Sequence, residues 1–155
     1  MNQFVADANV RTLLQVDTLL VMGLMSMTGY TSLLRLTGKV YATAEDYAWN
    51  GRALPAAGAE PASAALSDPI ARVRRIHLNH LENVLPFLVL STLYALTEPA
   101  HALFAGLLWA FFATRVFYTL FYSRSMQPHR TITFSLGIAI QVGIAVLTLL
   151  ASFAA

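Results

Sequence analysis

The stretch from Ile132 to Phe153 carries no charged residue and, wound as a helix, is apolar around its whole circumference. A helix of that kind has no face to offer water, so it belongs in a membrane or at the centre of a large core. Its length meets the roughly 20 residues that a bilayer crossing requires. Three comparable stretches precede it: Val10 to Leu36, Leu78 to Leu96 and Ala100 to Tyr122. A chain of 155 residues cannot build a soluble core large enough to hide four such segments. Charged residues make up 12%, about half the usual soluble share of roughly 25%. A soluble four-helix bundle with broad apolar faces is the competing reading, and the uncharged last segment argues against it. The pattern predicts an all-α membrane protein: one domain over residues 1–155, an up-down bundle of four transmembrane helices at about 10–36, 72–96, 100–122 and 131–153, and a long loop at 37–68.

Local signals refine this. Ala42-Thr43-Ala44 imitates a signal-peptidase site, but the apolar run before it is too long for a signal peptide, and Arg35 and Lys39 intervene. An uncleaved helix is expected. Ala53 to Ser67 is rich in Ala, Pro, Gly and Ser and reads as flexible. Asp68-Pro69 then supplies an N-cap and a first-turn proline, so the second helix starts there. Thr97-Glu98-Pro99 leaves only a tight hairpin between the second and third helices. Arg35, Lys39, Arg52, Arg72, Arg74, Arg75, Arg124 and Arg130 lie in or beside the first and third loops, against Arg11 alone on the other side. The excess predicts cytoplasmic loops with both termini on the opposite side.

Ionisable groups at membrane depth cost roughly 2.5–3.5 kcal/mol each at a helix centre, which makes them functional candidates. Glu82 and Arg115 stand out. Counted from Pro99 at 1.5 Å per residue, each lies about 25 Å from the hairpin, level on neighbouring antiparallel helices. The same count sets Asn79 level with Tyr118 and Arg75 level with Tyr122. Arg75, Asn79 and Glu82 share one helix face, as do Arg115, Tyr118 and Tyr122. The arrangement suits a zwitterionic or multi-carboxylate ligand; an interhelical Glu82–Arg115 ion pair that only fixes the bundle is the simpler alternative. His77 and His80 lack a third metal ligand at suitable spacing, so no metal is expected and interfacial histidines are the better reading. Asp17 reads as solvated or bonded to its own helix. Gly23 and Gly29 are candidates for close helix packing. Without cysteine there is no disulfide, no thiolate metal site and no cysteine nucleophile. Any thiol chemistry must use a thiol from outside.

Arg72-Val73-Arg74-Arg75-Ile76-His77-Leu78-Asn79-His80-Leu81-Glu82-Asn83, followed by Pro86-Phe87, resembles the signature of the MAPEG family, membrane-associated proteins in eicosanoid and glutathione metabolism. Arg35-Leu36-Thr37, Lys39 to Ala42 and Glu45-Asp46 resemble the stretch after the family's first helix. Arg115, Thr119, Tyr122, Pro128 and Arg130 resemble its third helix and following loop. The likeness is strongest to the microsomal glutathione transferase and prostaglandin E synthase branches. It implies a homotrimer with glutathione between adjacent subunits near the cytoplasmic side. By position it implies glutathione contacts from Arg35, Arg75, Asn79, Glu82, Arg115, Tyr118, Tyr122 and Arg130. Arg130 would stabilise the thiolate, with Thr131 and Asp46 at positions tied to catalysis.

Departures narrow the reading. Leu78 replaces an arginine of the prostaglandin synthase branch, His80 an acidic residue, and Tyr118 a histidine; Phe134 lacks a tyrosine hydroxyl. The activatable cysteine of the transferase branch has no counterpart. The expected function is a membrane glutathione transferase or peroxidase acting on hydrophobic electrophiles or lipid hydroperoxides. A prostaglandin-type isomerase, a non-catalytic lipid-binding scaffold and a small transporter are the alternatives.

Overall fold

The computed structural model describes residues 6–41, 43–53 and 68–154. They form five helices: α1 (Ala8–Gly38), α2 (Ala44–Trp49), α3 (Pro69–Ala95), α4 (His101–Ser123) and α5 (His129–Ala154). No strand occurs among the described residues. The sequence missed α2. Thr43 caps it by accepting from the Asp46 N–H at 3.3 Å, and its six residues are a local turn that hydropathy does not register. The Pro- and Gly-rich stretch expected to be flexible lies, over 54–67, outside the described residues.

Caps set the ends of the long helices. The Asp7 carboxylate accepts from the Asn9 and Val10 N–H groups at the start of α1. Asp68 does the same for Ile70 and Ala71, with Pro69 in the first turn as the sequence predicts. Lys39 closes α1 in the left-handed region, at φ 55°, and its N–H bonds back to the last turn. Pro86 sits inside α3 without ending it.

Connectivity fixes the directions. Asn9 Nδ2 donates to the Pro99 carbonyl at 2.8 Å, and Asn9 Oδ1 meets His101 Nδ1 at 2.9 Å. The start of α1 is thereby tied to the α3–α4 hairpin. α1 and α4 run away from that hairpin end; α3 and α5 run toward it. At the opposite end lie α2 and the α4–α5 loop. There Arg72 Nη1 donates to the Ser123 carbonyl and to Ser125 Oγ, joining the start of α3 to the end of α4.

α1, α4 and α5 are long and apolar enough to cross a membrane. α3 is not, because its first half carries Asn79, His80, Glu82 and Asn83 after Arg72, Arg74 and Arg75. The core gathers Val16, Leu20 and Leu24 of α1, Val84, Phe87 and Tyr94 of α3, Phe104, Leu108 and Phe111 of α4, and Ile144 of α5. Phe87 and Phe111 stack at its centre, centroids 3.8 Å apart. Gly137 is the close-approach glycine: a Cβ there would strike the Arg115 guanidinium. Gly23 and Gly29, expected to serve that purpose, have open space beside them. Lone small residues on α1 carry no information about which neighbour comes near.

Candidate functional site

Asn79 of α3, Tyr118 and Tyr122 of α4, and Arg130, Thr131 and Phe134 of α5 line one cleft of about 270 Å³. Helix periodicity explains the grouping. Tyr118 and Tyr122 are four apart, so their rings lie on one face of α4, with centroids 5.6 Å apart. Arg130 and Thr131 lie in the first turn of α5, where the positive end of the helix dipole favours an anion. The Arg130 guanidinium lies over the Tyr122 ring, 4.5 Å from its centroid, which fixes the cation from behind. The Tyr122 hydroxyl accepts from Arg75 Nε at 3.1 Å. The predicted level pairing of Arg75 with Tyr122 is therefore present, and Asn79 and Tyr118 do share the cleft.

Asn79 Oδ1 is buried without a hydrogen-bond partner. A buried acceptor left unpaired costs about 1–3 kcal/mol, and a donor from a bound molecule would relieve it. The cleft thus holds one arginine, Arg130, for carboxylate or thiolate charge, phenolic and hydroxyl donors, and an acceptor for an ammonium or amide N–H; Arg75 reaches its edge through the Tyr122 hydroxyl. That inventory fits a small peptide with more than one anionic group.

Arg115 is placed differently from expectation. It is only 2% exposed and does not line this cleft. Its Nε donates to Thr114 Oγ1 at 3.3 Å and its Nη2 to the Thr133 carbonyl at 3.4 Å, while Nη1 has no partner. It faces the Phe111 and Tyr118 rings at 5.1 and 5.5 Å. Arg115 supports Tyr118 from behind rather than bonding Glu82. The depth count was sound, but depth says nothing of rotation about the axis, and Gly137 opens the side of α5 to Arg115. Glu82 is exposed on the face of α3 that also carries Leu78, Leu85 and Val89.

Arg35 and Asp46 belong to a second cleft of about 290 Å³, with Ser32, Leu36, Tyr41 and Asn50. Beside it, hydrogen bonds from its own backbone and from Thr43 hold the Glu45 carboxyl below the usual range. Seven of the predicted site residues thus fall into two clefts at the same end of the bundle, with Arg75, Glu82 and Arg115 lining neither.

His80, expected to be interfacial, is buried; its Nε2 meets Thr119 Oγ1 at 2.8 Å. Thr119 Oγ1 donates to the Arg115 carbonyl, so it accepts from the histidine. Asp17, expected to be solvated or bonded within its helix, accepts from Ser91 of α3 at 3.2 Å. Both partners are hydroxyls on other helices, which spacing along one helix does not disclose. No group of three potential metal ligands gathers among the described residues.

Gln127 was missed. It precedes Pro128 in the α4–α5 loop, and its amide lies between Arg130 and Thr131. A lone loop glutamine has no sequence signal; only the fold shows what it touches.

Comparison with known proteins gives a match to the MAPEG family over residues 13–150. The chain is similar to microsomal glutathione S-transferase 1 of Homo sapiens, 34% identical over 131 residues, covering 83% of this chain and 81% of the relative. The Mus musculus protein of the same name is 32% identical over 129 residues, with the same coverage of 83% and 81%. The Bos taurus protein is 35% identical over 122 residues, covering 77% of this chain and 75% of its own.

Proposed function

The chain belongs to the MAPEG family, and from that premise we propose that it is an integral membrane glutathione transferase that adds the glutathione thiolate to hydrophobic electrophiles arriving from the lipid. The observation that carries the reading is the Arg130 guanidinium, held on the Tyr122 ring beside Thr131 in the first turn of α5. Arg130 faces the sulfur, Arg75 and Tyr122 hold a carboxylate, and Asn79 Oδ1 accepts from the peptide. Asp46 and Arg35 are assigned to the same reaction from the second cleft.

That assignment joins the two clefts across a homotrimer. The exposed face of α3 runs Leu78, Glu82, Leu85, Val89, Thr92 and Leu96, alternating four and three residues. This is the spacing of a helix seam that packs against copies of itself. Lipid against Glu82 is costly, and a second copy removes that cost. The excess of basic residues in the loops at this end supports a cytoplasmic site.

Magnitudes say what the pocket must supply. A free thiol of pKa about 8.5 is a few per cent ionised at pH 7. A shift of about two units by an arginine in a dry site raises the thiolate fraction about twenty-five-fold. The accompanying fall in nucleophilicity, with a slope of about 0.45, removes about eightfold. The net gain is about threefold, so most of the acceleration comes from holding a lipid-dissolved electrophile beside the sulfur. The same thiolate can attack a hydroperoxide oxygen: a sulfur–oxygen bond forms, the O–O bond breaks, alkoxide leaves and takes a proton, and a second thiol releases disulfide and water. Peroxidase activity is accordingly part of the proposal.

The test is turnover of an aryl halide and of a lipid hydroperoxide by purified protein in detergent, with glutathione binding read by calorimetry. Saturable, Arg130-dependent turnover supports the transferase. Binding without turnover of any electrophile turns the reading to the non-catalytic scaffold.

A further inference from the structure

Gln127 is exposed, yet its side chain is hydrogen-bonded on both sides. In the amide orientation that satisfies every neighbour, its oxygen accepts from Arg130 Nε at 3.0 Å and from Nη2. Its NH2 then donates to Thr131 Oγ1 at 3.0 Å. An arginine has no acceptor, so the amide oxygen must be the end that faces it. That choice forces the NH2 onto the threonine.

Two consequences follow. First, Gln127 occupies one edge of the Arg130 guanidinium, and the Tyr122 ring covers its face, so Nη1 is the nitrogen that Gln127 leaves for an anion. Second, Thr131 Oγ1 accepts a hydrogen bond from Gln127 rather than donating one to it. Thr133, two residues further on, returns its hydroxyl to the helix carbonyls of His129 and Arg130. Thr131 makes no such bond, so with Gln127 donating to it, its own O–H is free to donate into the cleft.

We propose that Gln127 is a positioning residue of the thiolate site: it orients the Arg130 guanidinium and sets the Thr131 hydroxyl as a donor, so that both aim at one sulfur anion. The inference rests on the glutathione reading of this cleft. The other ionisable groups around the cleft are Arg75 from α3 and Tyr118 and Tyr122 from α4, with Arg115 against the Tyr118 ring and Glu82 on α3; Arg75 bonds Tyr122, and His129 at the start of α5 turns its ring to Phe121, centroids 5.2 Å apart. Gln127 itself does not titrate, so its effect must appear in the acidity of the bound thiol.

The experiment is a pH titration of the glutathione thiolate absorbance on the full-length protein in detergent, for the parent, Gln127→Met, Gln127→Glu, Thr131→Val and the Gln127→Met/Thr131→Val pair. Gln127→Met keeps the length of the side chain and removes both hydrogen bonds. It is expected to raise the titration midpoint by about half a pH unit, while glutathione affinity stays within about threefold. Gln127→Glu sets a carboxylate against Arg130 and is expected to raise the midpoint by about one unit or more. In the Thr131→Val background, Gln127→Met should shift the midpoint by less than it does alone, because one of its two targets is gone. A midpoint unmoved by both Gln127 variants, or fully additive shifts with Thr131→Val, overturns the positioning role alone. No thiolate band and no calorimetric binding in the parent overturns the glutathione reading, and this role with it. Because Gln127 lies on the surface, the fold is expected to survive each change, and elution in the parent's volume checks it.

Discussion

The two ends of the bundle are built on opposite principles. Toward the hairpin, apolar contacts dominate: Phe87 on Phe111, Tyr94 against Phe104, with Leu108 and Ile144 fully buried among them and Asp17–Ser91 the polar exception, paired within the bundle. Toward the α4–α5 loop, the same helices bury Arg115, His80 and Asn83. Polar atoms of Asn79, Asn83 and Arg115 there have no partner. The first end supplies stability through close packing. The second leaves buried hydrogen-bonding groups unpaired, which costs stability, and on the proposed function Asn79 is the one of them that meets the ligand. A site inside a small bundle is possible because the other half is so well packed.

The comparison can be broken by substitutions that separate folding from binding. Phe87→Ala removes one ring of the stacked pair and should cost about 3–5 kcal/mol, read as a fall in the denaturation midpoint in detergent. Glutathione affinity of the folded protein should hardly change; loss of affinity with stability kept would erase the division. Gly137→Ala drives a methyl into Arg115, which has little room to withdraw, with Thr114 Oγ1 only 3.1 Å from the new carbon. It should cost about 2 kcal/mol by overpacking and also weaken binding, since Arg115 backs Tyr118. Tyr122→Phe keeps the ring under Arg130 and deletes the acceptor for Arg75. Glutathione binding should weaken about tenfold, for a charged hydrogen bond near 1.4 kcal/mol, while the thiolate band persists at saturating ligand. Thr43→Ala removes the cap of α2 and should cost about 1 kcal/mol locally. Faster amide exchange confined to 44–50 would show it, with little change in the protein's global midpoint.

How far the sequence reached differs between the same two ends. Three of the four expected apolar spans, the hairpin at Pro99, the start at Asp68-Pro69 and the level pairing of Arg75 with Tyr122 were legible, because hydropathy, caps and rise per residue are properties of one helix at a time. The partners of Arg115, His80 and Asp17 were not. Those depend on how helices rotate about their axes and where a glycine admits a neighbour. The family signature pointed to Arg130 and Thr131 but was silent on Gln127, whose part is defined only by the turn that brings it back onto them. It also gave no sign that Arg35 and Asp46 form a cleft of their own within one chain.

The central claim is that the polar end exists to bind and ionise a thiol. The most direct measurement is the ultraviolet difference spectrum of the purified protein on adding glutathione at neutral pH, with Arg130→Ala alongside. The account predicts a thiolate band in the parent that is lost in the variant. No band in the parent, with no glutathione binding by calorimetry, would contradict it.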